Sequence, residues 1–266
     1  MSTLQIIDDL TLEPVKKIRE KKSVTVLKKC YASDSGMASD SGMTSDMASD
    51  MPSDMPSDTT IEIGVDEAGR GPMLGRVYTA AVILPKDDRF NHSLMKDSKK
   101  FHSEKKIREV AEYIKKNAVA WSVSYADESE IDSMNIRNAT HHSMHKSIKG
   151  VLTSSYKKYH LLIDGNDFKP LLVMDDAIGL AQVRHTCIEG GDNKYSAIAA
   201  ASILAKVSRD TYIEELCKEH PYLNTNYDLL KNKGYGTAKH MEGIRTHGIS
   251  PFHRKSFGIC KTFANS

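Results

Sequence analysis

Apolar residues alternate from Ile61 to Asp66 with the period of two expected of a strand. Arg76 to Pro85 predicts a second strand, and Ala118 to Tyr125, with β-branched and aromatic residues, a third. Between them Ser103 to Asn117 has helical periodicity, with Ser103 placed as its N-cap. Ile136 to Lys158 predicts a second long helix and Tyr159 to Asp164 a short buried strand ending on an acid. Gln182 to Ile188 predicts a further strand, and Tyr195 to His220, rich in Ala, Ile and Leu, a largely buried helix. Three strands in hairpin-like succession, then strands interleaved with helices, predict an α/β fold: a mixed central sheet flanked by helices.

This pattern is absent before Ile61. From Ser33 to Asp58 the dipeptide Ser-Asp recurs at 33, 39, 45, 49, 53 and 57, separated mainly by Met, Gly, Ala and Pro. Side chains so small or polar cannot offset the entropy lost on ordering, so residues 32–60 are expected to be a disordered linker. Residues 1–31, with Lys pairs at 16–17, 21–22 and 28–29, read as a short basic segment, either an amphipathic element or a nucleic-acid arm. Residues 61–266 would form the packed α/β domain.

Composition narrows the class. The chain has 266 residues, 27% of them charged and 39% hydrophobic, and no apolar run approaches the roughly 20 residues of a membrane helix. No basic start followed by an apolar stretch marks a secretory signal, so an intracellular, cytoplasmic address is expected. Cys30, Cys187, Cys217 and Cys260 are scattered without C-x-x-C spacing, which excludes a disulfide framework and a thiolate zinc site. The formal charge of +2 conceals an uneven distribution. Six of the 35 acidic residues fall in 32–60, where no Lys or Arg occurs, leaving 29 acids against 37 bases elsewhere. A basic folded part suits a polyanionic partner.

Candidate chemistry lies in acids at strand ends. Asp66 and Glu67 close the first strand and lead into Ala-Gly-Arg-Gly-Pro, Asp164 closes Leu-Leu-Ile-Asp-Gly-Asn, and Asp192 follows Gly190-Gly191. A rigid sheet can hold such carboxylates together, and hard oxygen donors suit Mg²⁺ or Mn²⁺. Two such ions about 4 Å apart would stabilise the attacking and leaving oxygens of a phosphodiester hydrolysis. Taken singly, each Asp before Gly reads more readily as a turn residue.

The ordered set of segments decides between these readings. Ile-Gly-Val-Asp-Glu-Ala-Gly-Arg-Gly-Pro (63–72), Lys-Asp-Ser-Lys-Lys (96–100), Ile-Asp-Gly-Asn (163–166) and Ser-Ala-Ile-Ala-Ala-Ala-Ser-Ile-Leu-Ala-Lys-Val-Ser-Arg-Asp (196–210) come first. Gly-Tyr-Gly-Thr (234–237) and His-Arg-Lys-Ser-Phe (253–257) complete them. Together they closely resemble the ribonuclease HII family over nearly all of 61–258. The resemblance implies a ribonuclease H-like fold with additional C-terminal helices, acting on RNA–DNA hybrids and on ribonucleotides embedded in duplex DNA. It implies Asp66, Glu67, Asp164 and Asp192 as catalytic ligands of two Mg²⁺ or Mn²⁺ ions, with cleavage 5′ of the ribonucleotide leaving 3′-hydroxyl and 5′-phosphate ends. Gly69, Arg70 and Gly71 would contact the 2′-hydroxyl through their backbone, and Tyr235 would pack on the sugar of the following deoxynucleotide.

Further contacts are expected around this centre. Ser98, Lys99 and Lys100 stand at the entrance of the helix that begins near Ser103, where amides and ammonium groups attract phosphate. Lys206 and Arg209, one turn apart, either reach the duplex or serve as surface charge. His253, Arg254 and Lys255 form a basic cluster without an assigned use. The chain departs from many family members in having Gly190 where they carry a lysine, which leaves Lys194 as the substitute, and in the extra stretch 167–180. His141, His142 and His145 read as a solvated helix face rather than a zinc site. A monomer is expected. A hybrid-binding protein without activity and a DNA-cutting relative of similar fold remain as alternatives.

Overall fold

The computed structural model describes residues 26–31, 60–153 and 155–264. The Ser-Asp repeat and most of the basic N-terminal segment lie outside the described residues. Among the described residues seven strands are formed: β1 (Ile61–Ala68), β2 (Val77–Ile83), β3 (Ala120–Ala126), β4 (Tyr159–Asp164), β5 (Leu172–Asp175), β6 (Gly179–Gln182) and β7 (Arg184–Ile188). Five make one sheet in the order β3-β2-β1-β4-β7, while β5 and β6 pair separately as a hairpin. β1, β2 and β3 are antiparallel, whereas β4 and β7 run parallel to β1. The sheet is therefore mixed, as the pattern predicts. Because Val65 pairs with Ile163 in parallel register, Asp66 and Asp164 fall at the same end of adjacent strands.

Three long helices cover this sheet: α1 (Glu104–Asn117), α2 (Glu128–Lys149) and α3 (Ser196–Glu219). Ile63 and Val65 of β1, with Ala81 and Ile83 of β2, share a core with Met144 and Ile148 of α2. Ala80 and Val82 of β2 turn the other way, into a core with Ile107, Val110 and Ile114 of α1 and the alanines of α3. The two faces thus follow the period of two. Residues 62, 64 and 66 of β1 occupy the α3 side, and Glu62 and Asp66 are buried there although polar. At Gly64 a Cβ would come 2.1 Å from the carbonyl carbon of Ala197, so only glycine lets the helix backbone rest on the strand. The shorter helices α4 (Pro221–Tyr227), α5 (Leu229–Asn232), α6 (Ala238–His247) and α7 (Cys260–Phe263) follow. Around Leu223, Leu229, Ile244 and Cys260 they enclose a third core with Leu74, Ile213 and Leu216.

Ser103 caps α1 as expected, its hydroxyl accepting the Lys106 amide at 3.3 Å. The second helix differs from its expected span of 136–158. It starts at Glu128, where Asp127 and Glu130 form a reciprocal capping box, and stops at Lys149 before Gly150. Asn135, at φ 66° and ψ 161°, breaks it, and its side chain accepts the Asn138 amide at 3.1 Å. The reading from Ile136 therefore caught the second half. The strand expected over 182–188 is divided at Val183 between β6 and β7, and the extra stretch supplies β5 and the start of β6. No helix among the described residues is long and apolar enough to cross a membrane.

Gly64→Ala is expected to lower the unfolding free energy by about 2 kcal/mol, because strand and helix must separate to admit the methyl group. A urea titration checks this, and an unchanged midpoint would refute the direct backbone contact.

Candidate active site

The site is built where β1 and β4 end together. Asp66 is 5% exposed, and its Oδ1 accepts the Glu67 amide at 2.6 Å. Burial, then the neighbouring charges of Glu67 and Asp164, hold its carboxyl well above the ordinary range, against a hydrogen bond from Ser202 of α3. Burial also raises Glu67, opposed by the Arg70 guanidinium 3.4 Å away. Asp164 accepts the Gly191 amide at 2.7 Å and the Asp192 amide at 3.4 Å, which ties the end of β4 to the short helical turn Gly191–Asn193. Asp192 is buried, and burial followed by the charges of Asp164 and Asp97 raises its carboxyl. Asn193 donates to Asp192 at 2.9 Å and to Asp97 at 3.3 Å, so it separates those two acids.

Asp66, Glu67 and Asp164 open on a cavity of about 470 Å³. Gly69, Arg70, Gly71, Ser98, Lys99, Lys206 and Tyr235 also line it, so most of the expected site residues share one cavity. Asp192 is not among the residues lining the cavity; its amide donates to Asp164. Among the described residues no three Asp, Glu, His or Cys side chains are gathered into a finished metal cluster. The donor set nevertheless suits a cation: three carboxylates in this group are pushed toward protonation by burial and by one another, and a divalent ion would relieve that repulsion.

The glycine-rich loop owes its shape to residues that its own sequence does not reveal. Arg254 is fully buried and donates to the carbonyls of Gly69 (2.6 Å), Arg70 (2.9 Å), Pro72 (2.8 Å) and Gly75 (2.7 Å). Burial pulls its pKa down to about 9, which still leaves it charged at neutral pH. Arg209 lies under the same loop, donating to Lys233 O at 2.8 Å, and a Cβ on Gly69 would come 2.2 Å from its Nε. Gly69 also has φ +96°, so both conformation and space require glycine there.

Tyr235 is half exposed on the opposite wall, with a Cβ on Gly71 only 3.4 Å from its ring. A buried relay holds its backbone. His253 Nδ1 accepts the Ser250 amide at 2.9 Å, so its Nε2 carries the proton and donates to His240 Nε2 at 3.1 Å. His240 then donates from Nδ1 to Tyr235 O at 3.0 Å. Burial lowers His253 to about 3, which keeps the relay neutral.

The structure places the further expected contacts as follows. Arg209 is 3% exposed, so it is a loop support and not a surface charge. The cluster 253–255 is likewise no basic patch, since His253 and Arg254 are buried. Residues 98–100 form their own helical turn, capped by Asp97, and are not the first turn of α1; Ser98 is buried and bonded to Ser202 at 3.0 Å. Lys206 lines the cavity while paired with Asp210 at 2.7 Å. Lys194 donates to Glu189 O at 2.8 Å. Arg254, His253 and His240 were missed because a charged or polar triplet in sequence carries no sign of whether it faces water. The signal that could have found them is the Arg254 segment's place beside Phe257, near the end of a well-packed chain.

A sheet whose acidic end opens on a basic, glycine-walled cavity, covered by helices in this order, defines a nuclease with the ribonuclease H fold. A ribonuclease H2 from Pyrococcus horikoshii OT3 has this fold at a TM-score of 0.59 and 20% identity, over 77% of this chain and 97% of that one. Bst-RNase HIII, solved in complex with Mn²⁺, gives 0.50 at 15% identity over 71% and 70%. The model of the family Ribonuclease HII matches residues 63–260. The ribonuclease HII of Parabacteroides distasonis is 46% identical over 199 residues, 75% of this chain and 90% of that protein, and that of Phocaeicola vulgatus is 45% identical over 204 residues, 76% and 91%. The chain belongs to the ribonuclease HII family, and as a ribonuclease H it is a hydrolase acting on RNA in RNA–DNA hybrids.

Arg254→Ala is expected to cost about 3 kcal/mol of stability in urea unfolding, since four loop carbonyls lose a buried donor. A loss below about 0.5 kcal/mol, the size of an ordinary surface change, would contradict the bracing role.

Proposed function

We propose that this enzyme cuts hybrid RNA by carboxylate-held metal ions and also incises duplex DNA on the 5′ side of an embedded ribonucleotide. The products would carry 3′-hydroxyl and 5′-phosphate ends. The observation that carries this reading is the meeting of Asp66, Glu67 and Asp164 in one cavity with Gly69, Arg70, Gly71 and Tyr235. Asp66, Glu67, Asp164 and Asp192 would hold two Mg²⁺ or Mn²⁺ ions, in keeping with their hard oxygen donors and with the Mn²⁺ of the related Bst-RNase HIII. Once bound, such ions supply charge stabilisation to the attacking and leaving oxygens of the phosphodiester.

The remaining residues select and orient the substrate. Arg254 occupies the carbonyls of Gly69 and Arg70, so the loop offers its other polar groups to the ribose 2′-hydroxyl, the group that separates RNA from DNA. Tyr235 would press on the sugar of the next deoxynucleotide. Lys99 and Lys206 would meet phosphates along the strand, while Ser98 holds Ser202 beside Asp66. Every one of these contacts comes from a single chain, so a monomer suffices.

Three duplexes test the proposal: all DNA, DNA with one ribonucleotide, and a long hybrid, each supplied with Mg²⁺ or Mn²⁺. Cleavage is expected in the last two alone, and cutting of the all-DNA duplex would sink the ribose-sensing role. Asp66→Asn should keep its circular dichroism spectrum yet lose activity by about three orders of magnitude, the scale of removing a shared metal ligand. Tyr235→Ala should reduce incision at the single ribonucleotide roughly tenfold more than cleavage of the long hybrid, the scale of one aromatic contact. Equal losses on both substrates would count against the junction role.

A further inference from the structure

The family match begins at residue 63, yet residues 26–31 are packed against the domain it covers. Leu27 is 8% exposed and joins the core that holds Met95 and Ile203. Lys28 forms a parallel bridge with Tyr195, its amide donating to Lys194 O at 2.8 Å and its carbonyl accepting the Ser196 amide at 3.0 Å. Cys30 and the Tyr31 amide both donate to buried Glu62 of β1 at 3.0 Å, and the Tyr31 ring meets those of His160 and Tyr195.

The position of this segment is what matters. Ser196 opens α3, and the first amides of a helix have no partner within it. The residue before it, Tyr195, makes no capping bond with its side chain, and the Lys28 carbonyl accepts the Ser196 amide from another part of the chain. The Lys28 amide meanwhile grips the turn that carries Asp192. Leu27 also shares the wall of a cavity of about 310 Å³ with Asp97, Lys100 and Asn193, the residues beside Asp192. We propose that residues 26–31 are a positioning strap of the catalytic domain, in which the Lys28 backbone caps α3 and keeps the 190–196 turn, and with it Asp192, in register with Asp164. The strap acts through that turn and touches no substrate itself. Its kinetic consequence rests on the role given to Asp192 above, whereas its capping role does not.

The test uses the full chain and two readouts. Lys28→Pro removes the amide that binds Lys194 while suiting an extended backbone, Lys28→Ala keeps that amide and removes only the ammonium, and Leu27→Asp lifts the apolar anchor. In the Pro and Asp variants, amide hydrogen exchange over 191–199 is expected to quicken by about tenfold, the scale of losing one backbone hydrogen bond between strap and turn, with 61–68 unchanged. Their kcat on a long hybrid should fall severalfold at unchanged KM, and Lys28→Ala should behave as the parent. Unchanged exchange over 191–199 would overturn the strap. Exchange that quickens equally across the sheet, or failure of Lys28→Pro to fold, would overturn it too, because the segment would then belong to the general core. Faster local exchange at normal kcat would reject the positioning role. Full activity in Asp192→Asn would instead fault the assignment of Asp192, leaving the exchange result to judge the cap.

Discussion

The backbone contact between β1 and α3 at Gly64 and Ala197 sets the position of nearly everything chemical in this enzyme. From that contact Asp66 lies two residues along an extended strand, about 7 Å, and Ser202 five residues along a helix, about 7.5 Å. The two side chains therefore meet, and Lys206 and Arg209 follow on later turns over the same cavity. Alanines at 197 and 199–201 keep the helix low on the sheet. Bulkier residues would raise it and carry its polar face away from the strand ends.

Close packing also concentrates charge of both signs, which the fold keeps apart. Burial and neighbouring carboxylates disfavour the ionisation of Asp66, Glu67 and Asp192, a condition that a cation corrects. Arg254 and Arg209 lie deeper, and their guanidinium groups donate to backbone carbonyls. Had these arginines paired with the acids, the acids would have been satisfied without a metal. Satisfied by carbonyls, they stiffen the loop at 69–75 and leave the acidic strand ends to a ligand.

Outside this centre the chain is attached more simply. The repeat tract leaves the described structure after Tyr31 and returns at Thr60, and both ends are held close to Glu62: the Tyr31 amide donates to it, and Lys86 reaches both Glu62 and Thr60 O. The hairpin β5–β6 is a second addition, placed at the edge of the sheet where β4 and β7 begin, away from the strand ends that carry Asp164 and Asp192.

Alternation and helical periodicity by themselves determined the principal strands and helices, and the motif order determined the family, because these signals are local in the sequence. Boundaries were less legible. Asn135 splits a helix by one backbone angle, and the capping box at Asp127 extends it upstream of its apolar pattern. Only the tertiary structure decided that Arg209, His253 and Arg254 are interior supports, that Asp164 lines the cavity while Asp192 does not, and that Lys28 caps a helix far along the chain. Each of these depends on which surfaces meet when distant segments pack, and burial turns a charge that would be solvated in an isolated segment into a donor that must find carbonyls.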